Sequence, residues 1–375
     1  MIPQIPQLDP LPLPAPAWLL GFLLSLTFVL HLLAMNLLLG GAVIALISRL
    51  RAGKSADGQR RASRHAGRLA ALIARALPVL VAATVTFGVA ALLFLQVLYG
   101  RLFFTAAVLL AVPWFGVVIV LVAVYYTAYF ASIRAKAGAV PAWAFWAIAV
   151  GLAAIAFIYS NVMGLALLPG EFLARARASG SGVHLNLGDP TLAPRYLHVL
   201  LGSLAVAGLA IALWGSFLRR RDEAFGAWMI GHGVFWAAGA TIVNFLPGFW
   251  WLAALPREAL LAMLGQDPVI TLCFAVGVLA SLGSLALLVP AAFAPDPRRL
   301  LLGAAASLGV ALVLMAVVRD AARRMTLAPT GFLPTDWVAP QWVPIAIFAA
   351  LLVVSIAAVV WMVVKLARAV AAPSP

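Results

Sequence analysis

Acidic side chains are scarce in this chain. Asp and Glu number 11 against 25 Lys and Arg in 375 residues, and charged residues make up only 10% of the total. Ordinary soluble domains carry about 25% charge and roughly 45–50% apolar residues. At 65% hydrophobic, this chain cannot hide its apolar surface in one globular core, so it reads as a polytopic membrane protein. Its one cysteine, Cys273, excludes a disulfide framework, a Cys-rich zinc site and a Cys-ligated iron–sulfur cluster. No Cys-x-x-Cys-His is present to attach a c-type haem covalently. The long apolar runs contain no Asp, Glu, Lys or Arg near their centres, which argues against a proton pump or an ion-coupled transporter.

What is present is a series of apolar runs near 18–48, 71–99, 102–132, 142–168, 196–218, 225–252, 268–293, 299–319 and 342–366, each long enough for the roughly 20 residues a span requires. They are numbered spans 1 to 9. The Pro-rich first 17 residues carry no Lys or Arg, so they read as an extended outer arm rather than a signal peptide. With the N-terminus outside, 17 basic residues fall on the inner side. These include Arg49, Arg51, Lys54, Arg60, Arg61, Arg64 and Arg68 in the first inner loop. Eight fall outside: Arg101, Arg175, Arg177, Arg195, Arg257, Arg319, Arg323 and Arg324. The positive-inside rule then predicts N-out and C-in, and most of the net charge of +14 is topological rather than a nucleic-acid footprint. The connections are too short to hold a soluble domain. The expected organisation is an outer arm at 1–17, a single bundle at 18–370 and a cytoplasmic tail at 371–375, with no convincing internal repeat.

Three histidines lie within spans, where ionisable residues are functional candidates by default. His31, in span 1, shares a helical face with Met35 and precedes Gly40-Gly41; it reads either as a haem-facing residue or as a packing hydrogen bond between helices. His198, in span 5, follows Arg195 by one turn and is followed by Gly202, Ala205 and Gly208. That pattern suits a flat macrocycle with an Arg for its propionate, and equally suits close helix packing. His232 stands between Trp228 and Trp236, as a second haem ligand or an aromatic-belt residue. His65 and His184 fall in loops and read as solvated.

The stretch Asp189-Pro190-Thr191-Leu192-Ala193-Pro194-Arg195-Tyr196-Leu197-His198 resembles the start of helix 5 in subunit I of cytochrome bd quinol oxidases, with a haem-ligating His at the same interval. His31 in span 1, Phe87-Gly88-Val89-Ala90 to Tyr99-Gly100, Asn161 and Met163, Asp222 and Phe225, and Phe274-Ala275 to Gly283 follow in the family's order. The Asp320 and Arg323 pair is similar to one at the outer end of the family's helix 8. Departures are equally specific. Leu279 stands where the family has a haem-ligating Met and Gly277 replaces a nearby basic residue. The two Glu of the third helix have no counterpart, Gln96 replaces a Glu, and the quinol-binding loop is reduced to Ala253 to Asp267.

The resemblance implies an all-α bundle of nine transmembrane helices in a bacterial inner membrane, holding one or two b-type haems. His198 and His31 are the expected iron ligands, Arg195 a propionate partner, Met163 a substitute sixth ligand and His232 a further candidate. The implied function is a membrane-integral electron-transfer subunit of a respiratory complex. It would exchange electrons between the quinone pool or another membrane subunit and a periplasmic c-type cytochrome, with no quinol site of the usual kind. A divergent oxygen reductase subunit and a haem-free membrane scaffold are the alternatives.

Overall fold

The computed structural model describes residues 12–52, 60–137, 140–178, 180–334 and 337–371. Among these, nine helices are long and apolar enough to cross a membrane. They are α1 (Ala17–Ala52), α2 (Arg60–Leu109), α3 (Ala111–Lys136), α4 (Ala142–Leu165), α6 (Leu192–Leu218), α7 (Glu223–Ala253), α9 (Pro268–Ala291), α10 (Arg298–Leu327) and α11 (Trp342–Ala371); the short α5 (Phe172–Ala178) and α8 (Arg257–Leu261) lie between them. No strand occurs among the described residues. The chain is an all-α, multi-pass membrane protein with the number of spans expected from its apolar runs.

Two boundaries differ from expectation. The first basic segment is largely helical, because α2 begins at Arg60. The expected break after Tyr99-Gly100 is a kink instead: Tyr99 has φ −129° and ψ 27°, and the helix continues to Leu109. Fifty residues of straight helix would span about 75 Å, far beyond a hydrocarbon core of about 30 Å, so α2 has to bend or overhang. The real break falls at Leu110, set by Pro113. Lacking an N–H, Pro113 leaves the carbonyl of Leu109 without its helical partner, and the backbone N–H of His184 donates to it at 3.1 Å. Val112 donates to Gly182 O at 3.1 Å in the same way, which ties the loop before α6 to the α2–α3 junction.

Of the expected arm, residues 1–11 lie outside the described residues, as do 372–375 of the expected tail. The described part of the arm is extended. Leu13 forms a parallel bridge with Val338, donating to Trp337 O at 2.8 Å and accepting from Ala339 N at 2.9 Å. This zips the entry to α1 against the entry to α11. Below it, Leu20, Leu24, Leu98, Tyr99, Phe103, Leu165 and Leu327 form one buried cluster, which defines the end of the bundle called here the N-terminal end.

The hairpins α1–α2, α6–α7 and α9–α10 are the most extensively packed pairs, and α1 against α6 joins the first two. A Cβ at Gly40 would overlap the backbone carbonyl of Ser203 and lie 2.8 Å from Ala207 Cβ, so α1 and α6 cross with backbones nearly touching. Gly208 and Gly233 do the same between α6 and α7, where added Cβ atoms would come within 2.5 Å of backbone nitrogens on the other helix. Without a solvophobic drive in lipid, such close approach supplies much of the association energy. At the opposite end, Asp222 caps α7 through the N–H of Phe225 at 3.0 Å and accepts from Arg68 at 2.7 Å. The Phe225 amide and then Arg68 hold its carboxyl below the usual carboxylate range.

Gly40→Ala is expected to lower the thermal unfolding midpoint of the detergent-solubilised protein, at an overpacking cost of about 1–3 kcal/mol. Gly21→Ala, where an added Cβ meets nothing within 4 Å, is expected to leave it unchanged. Equal midpoints for the two variants would contradict the close crossing.

Candidate functional site

Two imidazoles are held in the same way by different helix pairs. His31 on α1 places Nδ1 2.9 Å from the carbonyl of Thr84 on α2. His198 on α6 places Nδ1 3.3 Å from the carbonyl of Asn244 on α7. A carbonyl only accepts, so Nδ1 carries the proton in both, and in the neutral ring Nε2 keeps a free lone pair. Neither Nε2 makes a hydrogen bond among the described residues. Donation from Nδ1 to a backbone carbonyl is the usual support of a metal-ligating histidine, because it fixes the ring and raises the basicity of the other nitrogen.

Each carbonyl is followed four residues later by a glycine that makes room for the ring. An added Cβ at Gly88 would lie 2.7 Å from His31 Nδ1, and one at Gly248 would lie 3.3 Å from His198 Nδ1. The two residues whose carbonyls accept also carry an unpartnered side-chain oxygen: Thr84 Oγ1 and Asn244 Oδ1 are buried with no hydrogen-bond partner among the described residues. A buried polar atom without a partner is costly; Asn36 Oδ1 and His65 Nδ1 are in the same state, so it is not confined to these two residues.

One turn nearer the N-terminal end than His198, at Arg195, lies a cavity of about 350 Å³, lined by α2, α4, α6, α7 and α10, with neither His31 nor His198 among its lining residues; its volume is at the lower end of the range for small-molecule sites. Apolar walls come from Leu95, Phe103, Leu167, Trp251 and Leu327, and Met163 and Arg195 both line it. Arg195, the expected propionate partner, is already engaged, pairing with Asp189 at 2.9 Å and donating to Thr191 Oγ1 at 3.1 Å. Its Nε remains buried and unpartnered. Arg323 pairs with Asp320 at 3.3 Å and Arg324 with the same carboxylate at 3.2 Å. Arg319 lines the cavity too, lies 4.1 Å over the Phe28 ring, and has no carboxylate partner among the described residues. Phe28 is one turn before His31 on α1, as Arg195 is one turn before His198 on α6. The cavity therefore gathers arginines one turn from each imidazole.

His232 is placed differently. Trp236 Nε1 donates to its Nε2 at 3.2 Å, Ser48 Oγ lies 3.5 Å away, and its ring stacks on Trp228 with centroids 4.6 Å apart. Its Nε2 lone pair is taken, in contrast to those of His31 and His198. His65, expected to be solvated, is buried against Phe225 and Trp228 at the same end, with centroids 5.4 and 5.8 Å away. Its helix reaches further than the loop expected there, and this carries the ring under the α7 N-terminus. Leu279, where the resembling family has its methionine, is 63% exposed on α9.

The chain matches no family model and no curated relative. The residues that sequence reasoning missed are Thr84, Asn244, Gly248 and Arg319. The first two act through backbone atoms and leave no residue-type signal. Gly248 was visible only as a repeat of spacing, Thr84 to Gly88 and Asn244 to Gly248, and Arg319 only as one of the eight outer basic residues.

The arginine pairing carries a stability consequence. With protein produced under haem depletion, Arg195→Met is expected to cost about 3–5 kcal/mol by leaving Asp189 buried and unpaired, Asp189 being 9% exposed. Arg319→Met removes a cation that no carboxylate among the described residues neutralises, at the loss of its contact with the Phe28 ring, and is expected to maintain or raise the unfolding midpoint. Equal losses in the two variants would contradict this assignment of pairs.

Proposed function

We propose that this chain is a membrane-integral subunit that holds b-type haem and passes single electrons within a respiratory complex of a bacterial inner membrane. The observation that carries the reading is the matched support of His31 and His198: Nδ1 on a carbonyl, glycine beside the ring and Nε2 left free. The donor set suits haem iron, for which a neutral imidazole is a common axial ligand. A bound b-type haem would supply a one-electron carrier. The protein's own part is to hold the two rings in one tautomer, to offer guanidinium groups to carboxylates of the cofactor, and to surround it with apolar helices.

In this reading His198 is the principal ligand and His31 serves a second haem or the same one. Arg319 takes the propionate role expected of Arg195, because Arg195 is committed to Asp189; the orphaned Arg195 Nε keeps it available as a second donor. Met163, which lines the cavity with these arginines, stays the substitute sixth ligand on the resemblance alone. His232 is left out of the ligand set because its Nε2 accepts from Trp236. The resemblance to subunit I of cytochrome bd oxidases at the head of α6 supports the same assignment.

The N-terminal end is proposed to face the periplasm, from the distribution of Lys and Arg. Its partner there is a periplasmic c-type cytochrome or another membrane subunit. The quinone pool is met without the usual bd loop, since only α8 and a tight turn with Gly265 at φ +128° separate α7 from α9. The absence of carboxylates from the centre of α3 disfavours the oxygen reductase reading, because reduction of oxygen to water needs a proton relay. The haem-free scaffold reading treats the two Nδ1 hydrogen bonds as helix packing alone.

His198→Ala is expected to remove one haem equivalent per chain, measured by pyridine haemochrome on folded protein, and His31→Ala to lower haem retention. Unchanged haem in folded His198→Ala would overturn the assignment. Reduction of a periplasmic cytochrome is expected to fall as ionic strength rises, since exposed charges are screened beyond about 8–10 Å at physiological salt. A rate independent of salt would contradict charge-steered docking at the N-terminal end.

A further inference from the structure

The end of the bundle opposite the haem-ligand candidates carries a second concave site with different chemistry. An open groove of about 630 Å³ lies between the α6–α7 turn and the α9–α10 turn, lined by Arg219, Arg220, Arg298 and Arg299 together with Glu223 and Asp296. Two of the four arginines build its walls. Arg219 donates to the carbonyl of Pro295 at 3.0 Å and pairs loosely with Glu223 at 3.7 Å. Arg298 lies 4.6 Å over the ring of Phe217. These contacts stitch the two turns together across the groove. The other two, Arg220 and Arg299, are exposed and have no carboxylate partner among the described residues.

Of the two acids, Asp296 receives the backbone N–H of Arg298 at 3.4 Å, and the side chain of Glu223 is 81% exposed. The groove therefore keeps a surplus of positive charge. The 30-residue α10 also starts at this groove, where its N-cap residue Pro297 supplies no side-chain bond and Asp296 takes only the first N–H, so the other free N–H groups of its first turn add to the positive field. Immediately beside the arginines the surface turns apolar: Phe293 is 83% exposed and Leu302, a lining residue, 48% exposed. Arginines at the mouth with apolar side chains alongside match a ligand whose anionic head sits in the groove and whose chains run down the bundle. Basic pockets between transmembrane helices take anionic lipid head groups in this way, and guanidinium is well shaped for phosphate oxygens.

We propose that this groove binds the phosphate of an anionic phospholipid, with Arg220 and Arg299 as its free counter-ions and Phe293 and Leu302 against its acyl chains. The site is independent of the haem reading and ties the α6–α7 hairpin to the α9–α10 hairpin through the lipid. Phosphate chemistry alone would also admit free inorganic phosphate; the exposed apolar pair beside the arginines favours the lipid.

The test uses the purified full-length chain in neutral detergent, titrated with phosphatidylglycerol, with phosphatidylcholine of the same acyl length, or with inorganic phosphate, while the unfolding midpoint is followed. Phosphatidylglycerol is expected to raise the midpoint in a saturable way and phosphatidylcholine to raise it less. The Arg220→Gln/Arg299→Gln pair, at exposed positions, is expected to lose the difference between the two lipids. The charge-matched control Arg61→Gln/Arg64→Gln, on α2 at the same end, is expected to keep it. Equal stabilisation by the two lipids, or loss of the difference in the control as well, would overturn the site. Inorganic phosphate that reproduces and displaces the phosphatidylglycerol effect would overturn the lipid as its source.

Discussion

A helical carbonyl has two lone pairs and its own helix uses one; in this bundle the second lone pair of Thr84 and of Asn244 fixes an imidazole. In a bilayer no water competes for such a bond, so the group that takes it is held firmly. Each imidazole spends its Nδ1 proton there and is left with a single available donor atom, Nε2. The glycines at 88 and 248 exist on the same terms, since a side chain at 88 would displace the ring it faces. Close packing of α1 on α2 and of α6 on α7 brings carbonyl and ring within reach. The contact of Gly40 with Ser203 and Ala207 sets the two hairpins side by side, so the chemistry of both imidazoles depends on the small residues that let these helices touch.

The two ends of the bundle separate by charge and by state of pairing. At the N-terminal end the arginines are partly buried and mostly committed: Arg195 to Asp189, Arg323 and Arg324 to Asp320. Of the three arginines that line the cavity, Arg195, Arg319 and Arg323, Arg319 has no carboxylate partner among the described residues. At the other end the arginines are more numerous and more exposed, as at Arg220 and Arg299, where solvent and lipid head groups screen them. His232 belongs to this second end, in a stack running from His65 through Phe225, Trp228 and His232 to Trp236. The stack anchors α2 to α7, and Trp236 closes it by occupying the imidazole nitrogen.

Nine spans were legible because each is a long run without a central charge, and their number needed no tertiary information. Helix ends were less so. Span 2 was expected to end at 99, where the helix only kinks, because the chain's terminator is Pro113, whose effect falls four residues upstream on Leu109. His31 and His198 stood out as lone ionisable residues in apolar helices, and Arg195 by its one-turn spacing. The state of those residues was not legible. That Arg195 is already paired depends on Asp189 folding back from the preceding loop, and that Arg319 is unpaired depends on how α10 meets α1. His65 and His232 illustrate the converse: the same residue type differs from His31 because of which neighbour reaches the ring.

The proposal that His31 and His198 present Nε2 to haem iron turns on whether the protein holds haem at all. A reduced-minus-oxidised optical spectrum of the purified wild-type protein, repeated under carbon monoxide, addresses it most directly. An electron carrier of this kind is expected to give a b-type haem difference spectrum that carbon monoxide leaves unaltered. Protein that is folded and devoid of haem after expression with ample haem supply would contradict it, and a spectrum shifted by carbon monoxide would replace the electron carrier with an oxygen-reactive haem.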